Sequence, residues 1–139
     1  VVPRGQGAGT VVVYFTMDDA AHPNGIPTPA DVAVVQAHLD EVRPVATQVF
    51  VLAPIAYPID VTIQALTPDN PAVRTAVVAE LTDTLYRHGQ PGGTVYVSWL
   101  WEAVSFAAGE QHHTILQPPG DVALGASDLA VLGTVAYVA

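Results

Sequence analysis

Between Arg43 and Leu66 the chain reads RPVATQVFVLAPIAYPIDVTIQAL, with apolar residues at alternate positions through most of the run. Val45, Thr47, Val49, Val51 and Ala53 fall on one face of an extended chain, and Phe50 and Leu52 on the other. Beyond Pro54, one face carries Ile55, Tyr57, Ile59, Val61, Ile63 and Ala65, and the opposite face Asp60, Thr62 and Gln64. β-Branched residues suit a pleated strand, and Pro54 and Pro58 punctuate the middle. The pattern predicts two strands, the first buried on both faces and the second with one wet face, meeting at a corner at Ala53-Pro54.

Upstream, TVVVYFT (Thr10 to Thr16) predicts a strand buried on both faces, and Met17 to Ile26 a turn-rich loop. A helix should follow. Thr28 fits the N-cap, Pro29 the first helical position and Asp31 a capping box, while Val32, Val35, Leu39 and Val42 form one apolar stripe. Arg43-Pro44 ends it, because the residue before proline is pushed out of the α region.

Downstream the same grammar recurs. Asp69 or Asn70 caps a second helix opened by Pro71, with a stripe of Val73, Val77, Leu81 and Leu85 and a stop at Gly89. Thr94 to Val97 predicts a short strand. Ser98 is placed as the cap of a third helix carrying Leu100, Trp101, Val104 and Ala107 and ended by Gly109. His113 to Gln117 reads as a strand, Pro118 to Gly120 as a turn, Val122 to Ser127 as irregular and Leu132 to Val138 as a final strand.

The sum is a two-layer α+β fold: a mixed sheet or sheets with about three helices packed on one side, or two small tandem ferredoxin-like subdomains. The expected division is residues 1–66, strand-helix-strand-strand, and residues 67–139, helix-helix-strand, sharing or abutting the same sheet.

Composition changes the picture in one respect. Thirteen acids stand against four arginines, with no lysine, giving a net charge of −9 over 139 residues. A phosphate backbone needs clustered Lys and Arg, so nucleic acid is excluded as a direct partner. With no cysteine, disulfides and thiolate chemistry are excluded too. No apolar run reaches the roughly 20 residues of a bilayer span, which argues against a membrane partner. Charged residues make up only 12%. A charge-poor surface suits a protein that covers itself with neighbours, and it equally suits an Ala/Val/Arg-rich genome. The chain opens abruptly on Val1-Val2-Pro3, as a piece of a longer protein would.

Candidate chemistry is sparse. RGQGAG (Arg4 to Gly9) has the glycine spacing of a phosphate loop but precedes a strand rather than opening a helix, so a mobile linker is the better reading. Asp18, Asp19 and His22 share one loop and are weak candidates for a divalent cation, weighed against ordinary turn formation. His112 and His113, adjacent on a strand, point to opposite faces and cannot chelate together; a solvated or interfacial pair is expected. Ser98 lacks a nucleophile-elbow context, and Glu102 with Glu110 is too generic for an acid–base pair. No catalytic residue and no cofactor is assigned. Trp99 and Trp101 straddle opposite sides of the third helix: either one faces the core and leaves the other exposed as an interface anchor, or both pack under the final strands; with Tyr57 they are the interface candidates.

Taken in order, RGQGAGTVVVYF, NGIPTPADVAVVQAHLDEVRPV, VFVLAPIAYPIDVTIQAL and DVALGASDLAVLGTVAYV resemble the C-terminal part of the baseplate J-like family of contractile phage tails and related injection systems. PDNPAVRTAVVAELTDTLYRHGQPGGTVYVSWLWEAV is similar to that family's second helix and the helix after it, whereas FAAGEQHHTI departs from its pattern, which would put a valine-rich lead there. The resemblance implies a non-catalytic wedge or bracket protein. Such a protein joins the tail hub to peripheral parts, in several copies in a ring-like assembly with other baseplate and tail proteins. Its place would be the tail baseplate of a virion or phage-like particle, assembled in the bacterial cytoplasm. The alternative from the residues is a small ligand- or metal-binding regulatory module of ferredoxin-like shape, with its site in the Met17 to Ile26 loop.

Overall fold

Residues 1–139 are described by a computed structural model of the chain. The elements run β1 (Val2–Pro3), β2 (Thr10–Tyr14), α1 (Pro29–Val42), β3 (Gln48–Leu52), β4 (Ile55–Thr67) and α2 (Pro71–His88). They continue with β5 (Thr94–Val95), α3 (Val97–Phe106), β6 (His112–Gln117), β7 (Val122–Ala123) and β8 (Asp128–Val138). The sheets have the orders β1-β2-β3, β6-β4-β8 and β5-β7. The fold is α+β, as expected, and neither larger sheet has the four strands of a ferredoxin-like unit.

In the N-terminal half, β2 and β3 pair in parallel from Thr10↔Gln48 to Tyr14↔Leu52, joined through α1 as a parallel pair requires. Arg4 to Gly9 is not a linker. It is the hydrogen-bonded turn between β1 and β2, held by Arg4 N to Thr10 O (2.7 Å) and Thr10 Oγ1 to Gly7 O (2.7 Å). A Cβ on Gly5 would stand 2.7 Å from the Val12 side chain, so this turn has no room for one. Helix α1 opens with the predicted capping box of Thr28 and Asp31, yet none of its residues is fully buried. The strands also depart from the doubly buried pattern: Val12 and Val51 are covered, while Phe50 and Leu52 are 37% and 38% exposed. The physical reason is cover. A three-stranded sheet with a single helix on it has one protected face.

β3 and β4 meet at Ala53-Pro54, as predicted, but belong to different sheets. The strand from Ile55, grouped with the first half in the sequence reading, is the central strand of the second half's sheet, flanked by β6 and β8. The sheets therefore change at Ala53-Pro54 rather than at Leu66, and the two halves share no strand.

The C-terminal half holds the main core. Ile59, Val61 and Ile63 of β4 pack with Val73, Val77, Leu81 and Leu85 of α2 and with Leu100, Ala103 and Val104 of α3, so both helices lie on one face of the sheet. The wet face keeps Asp60, exposed, with Thr62 and Gln64 half-buried. The predicted apolar face fails at both ends: Ile55 and Tyr57 lie beyond the cluster and are 62% and 43% exposed. Ala65 adopts φ +53° where the β4–β6 register slips, and Leu66 takes the inward place.

Helix α2 starts as predicted, the Asn70 side chain accepting from Val73 N at 3.0 Å. Helix α3 does not. It begins at Val97, so the preceding strand stops at Val95, and Ser98 is not its cap. The amide of Val97 is met instead by Asp121 Oδ1 at 2.9 Å, a distant residue that no local pattern could nominate. Val122–Ala123, expected to be irregular, pairs with β5, and β8 already starts at Asp128.

Candidate functional site

The loop from Met17 to Ile26 lies between the halves. It closes on itself through Met17 N to Gly25 O (2.9 Å) and Gly25 N to His22 O (2.8 Å). The ring of His22 bridges two carboxylates, Nδ1 to Asp19 Oδ1 at 2.8 Å and Nε2 to Asp31 Oδ2 at 3.0 Å. Asp31 is also the capping-box residue of α1, so this ring fastens the loop to the helix start. Toward the other half, the Tyr86 hydroxyl on α2 reaches Asp18 Oδ1 at 2.7 Å and the Met17 carbonyl at 3.1 Å. A cleft of about 380 Å³, lined by Thr16, Met17, Gly25, Tyr86 and Leu129 among others, runs along this junction.

The electrostatics follow from those contacts. The hydrogen bond to Asp19 is the largest influence on the His22 imidazole; burial opposes it, and with the further hydrogen bond to Asp31 the ring is held above its usual value. The His22 contact lowers Asp19, and the hydroxyl and amide of Thr28 lower Asp31. Asp18 raises Tyr86 by accepting its proton in a hydrogen bond.

As a cation site the loop is poorly arranged. A metal ligand must offer a free lone pair toward a shared centre, whereas both ring nitrogens of His22 face carboxylates and Asp18 faces a phenol. No group of three or more His, Cys, Asp or Glu side chains gathers so as to hold a metal ion. The sequence reading placed Asp18, Asp19 and His22 on one loop; Asp19 and His22 meet directly, whereas Asp18 turns to Tyr86. That reading missed Asp31 and Tyr86, which complete the arrangement from two helices.

The aromatic candidates divide. Trp99 is half-buried, stacked on His88 (centroids 4.8 Å apart) and meeting Tyr96 edge-on at 4.9 Å. Trp101 remains 37% exposed and lies over the ring of His113 at 5.0 Å, while Tyr57 stands open near the Ala53-Pro54 corner. Phe106, in the last turn of α3, is 70% exposed.

The two histidines do point apart, but they are not a solvated pair. His112 is exposed, whereas His113 is buried, with Nδ1 2.9 Å from the equally buried Glu110 Oε1. His113 Nε2 has no partner. Glu102 and Glu110 are not brought together by any hydrogen bond; Glu110 is held by His113 instead.

Comparison with known proteins bears on the whole chain. A family model described as the Baseplate J-like central domain matches residues 1–53, and one described as the Baseplate J-like protein C-terminal domain matches residues 57–138. The protein JayE of Escherichia coli K12 is 37% identical over 132 residues, 94% of this chain and 49% of JayE. The Mu-like prophage FluMu protein gp47 of Haemophilus influenzae is 31% identical over 145 aligned positions, 97% of this chain and 40% of gp47. The chain thus spans half or less of the length of these curated relatives. The gap between the two matched regions, residues 54–56, falls at the corner where the sheets change. With both models matched in order over nearly its full length, the chain belongs to the baseplate J-like family.

Proposed function

We propose that the chain is a structural part of a contractile-tail baseplate. It acts as a bracket that assembles with other tail proteins around the hub, in several copies, and carries out no catalysis. The observation that carries this reading is the ordered match of the central and C-terminal baseplate J-like models. Three physical features agree with it. Two sheets joined at one proline corner and by one loop make a two-part body suited to spanning neighbours. Phe50, Leu52, Ile55 and Tyr57 leave apolar surface open around that corner, and Trp101 with Phe106 does so on α3. The acidic surface suits protein partners and disfavours nucleic acid. On this reading residues 1–53 and 57–138 are the two working units.

The test is genetic and biochemical. Deleting the gene from the particle-producing strain should leave tails without baseplates, and purified wild-type particles should contain the chain in several copies. Contractile, complete tails in the deletion strain would overturn the proposal. Tyr57→Ala, Trp99→Ala and Trp101→Ala proteins that keep their melting behaviour should enter particles less well than wild type.

A further inference from the structure

A sheet edge presents unpaired N–H and C=O groups, and proteins guard such edges with shortness, proline, charge, bulges or a covering side chain. Most edges here are guarded. β1 has two residues, as do both strands of the small β5-β7 sheet. β3 is covered by Gln36 of α1, whose side-chain amide donates to Val49 O and accepts from Val51 N, both at 2.8 Å, in place of a neighbouring strand. β6 is short and runs into Pro118-Pro119. β8 differs. It is eleven residues long, has no proline, and from Leu129 to Ala139 carries no charged residue in a chain of net charge −9. Its single guard is the bulge at Gly133-Thr134, which leaves the stretch beyond it regular.

The backbone groups left open there can be identified. Ile55 N–H donates to the Ser127 carbonyl, so alternate residues of β8 face β4. Following the register through Val61↔Val135 and Ile63↔Tyr137, the amides and carbonyls of Val135 and Tyr137 face away from β4. No backbone hydrogen bond outside the β4 ladder reaches β8 beyond Asp128. On the wet face this stretch shows Ala136 and Val138 beside Thr62 and Gln64, none of them charged.

We propose that the β8 edge beyond the bulge pairs antiparallel with the β8 edge of a second copy of this chain. A one-dimensional row of unmet amides and carbonyls specifies an extended backbone as its occupant. Charge permits the copy: the stretch beyond the bulge carries no charged side chain of its own, and the Arg74 guanidinium, 4.3 Å over the Tyr137 ring, is paired with Asp69, so two chains of net charge −9 can meet here without opposing carboxylates on the strands. Antiparallel pairing of identical strands has two-fold symmetry, so it closes after two copies. The result is one sheet running from β6 of one copy to β6 of the other. The inference rests on the baseplate reading only in taking other copies to be at hand.

The test uses the 139-residue chain itself. In sedimentation across the micromolar range its mass should rise from 14.5 kDa toward twice that value. By amide hydrogen exchange, Val135 and Tyr137 should exchange quickly in dilute protein and slowly in the dimer, while Ala136, which faces β4, stays slow in both. Ala136→Glu, which sets two carboxylates close across the axis on an exposed position, should weaken association by roughly tenfold or more with folding unchanged. A chain that stays monomeric overturns the proposal, as does a dimer in which Val135 and Tyr137 remain unprotected. A monomer whose deletion still abolishes baseplates removes this inference alone; a dimer whose deletion leaves tails complete removes the functional reading alone.

Discussion

The carboxylate of Asp60 on β4 accepts the backbone N–H of Thr134 on β8 at 2.8 Å. It does so at the bulge, where Gly133 and Thr134 stand against Asp60 alone and the ladder loses its regular partners. A Cβ on Gly133 would collide with that same carboxylate and lie 3.2 Å from the Ile59 carbonyl oxygen. Asp60→Ala should therefore cost about 1 kcal/mol by removing the hydrogen bond to the Thr134 amide, and Gly133→Ala about 1–3 kcal/mol. Because the carboxylate is the nearer obstacle, Gly133→Ala should cost less in the Asp60→Ala background. A double-mutant cycle in urea checks this, and strict additivity would refute the coupling.

The His22 clamp should make stability depend on pH with a definite sign. A neutral imidazole has one N–H, so bridging Asp19 and Asp31 at both nitrogens calls for the protonated ring. Its raised value means that the contribution is complete below about pH 6.5 and disappears as pH rises through the raised value. Asp19 and Asp31 are lowered, so their share is present above about pH 3.8 and lost as pH falls through their lowered values. The stability difference between wild type and His22→Ala should thus be largest near pH 5 and shrink in mildly alkaline solution. A difference that grows above neutrality would contradict the protonated bridge.

Tyr86→Phe removes the hydroxyl that joins α2 to Met17 and Asp18 and leaves the ring in place. The loop should open locally. Exchange of the Met17 amide, now bonded to Gly25, should quicken on the order of tenfold, with the α2 core amides unchanged. Unchanged loop exchange would mean that the hydroxyl contact does not hold the loop.

Truncation should separate the halves. Leu81→Ala, at a fully buried position in the main cluster, should cost about 2–5 kcal/mol. Leu39→Ala, only partly buried on α1, should cost less, about 1 kcal/mol, since part of its surface already meets water and no residue of that helix is fully buried. Chemical denaturation of both variants tests the ranking.

What the sequence disclosed follows the range of the forces involved. The Thr28–Asp31 capping box, the Asn70 cap and the Val73, Val77, Leu81 and Leu85 stripe depend on residues within a turn or two, and all were readable. The Asp121 cap on α3, the Tyr86 contact and the Gln36 cover of β3 join residues far apart in the chain, and their side chains carry no local signal. Alternation told which faces of β4 were apolar but not how far helices extend over them, so Ile55 and Tyr57 came out exposed. Asp18, Asp19 and His22 were legible as neighbours, while what they bond to was not.

The core cluster begins at Ile59 and ends at Ala130, whereas the first sheet and α1 bury few apolar side chains, Val12 and Val51 among them. Unfolding heat capacity comes mainly from apolar area newly exposed to water. A calorimetric melt of this protein will accordingly be, in its heat and its curvature, a melt of the C-terminal half. Loosening of the N-terminal half will register as a sloping baseline before the peak.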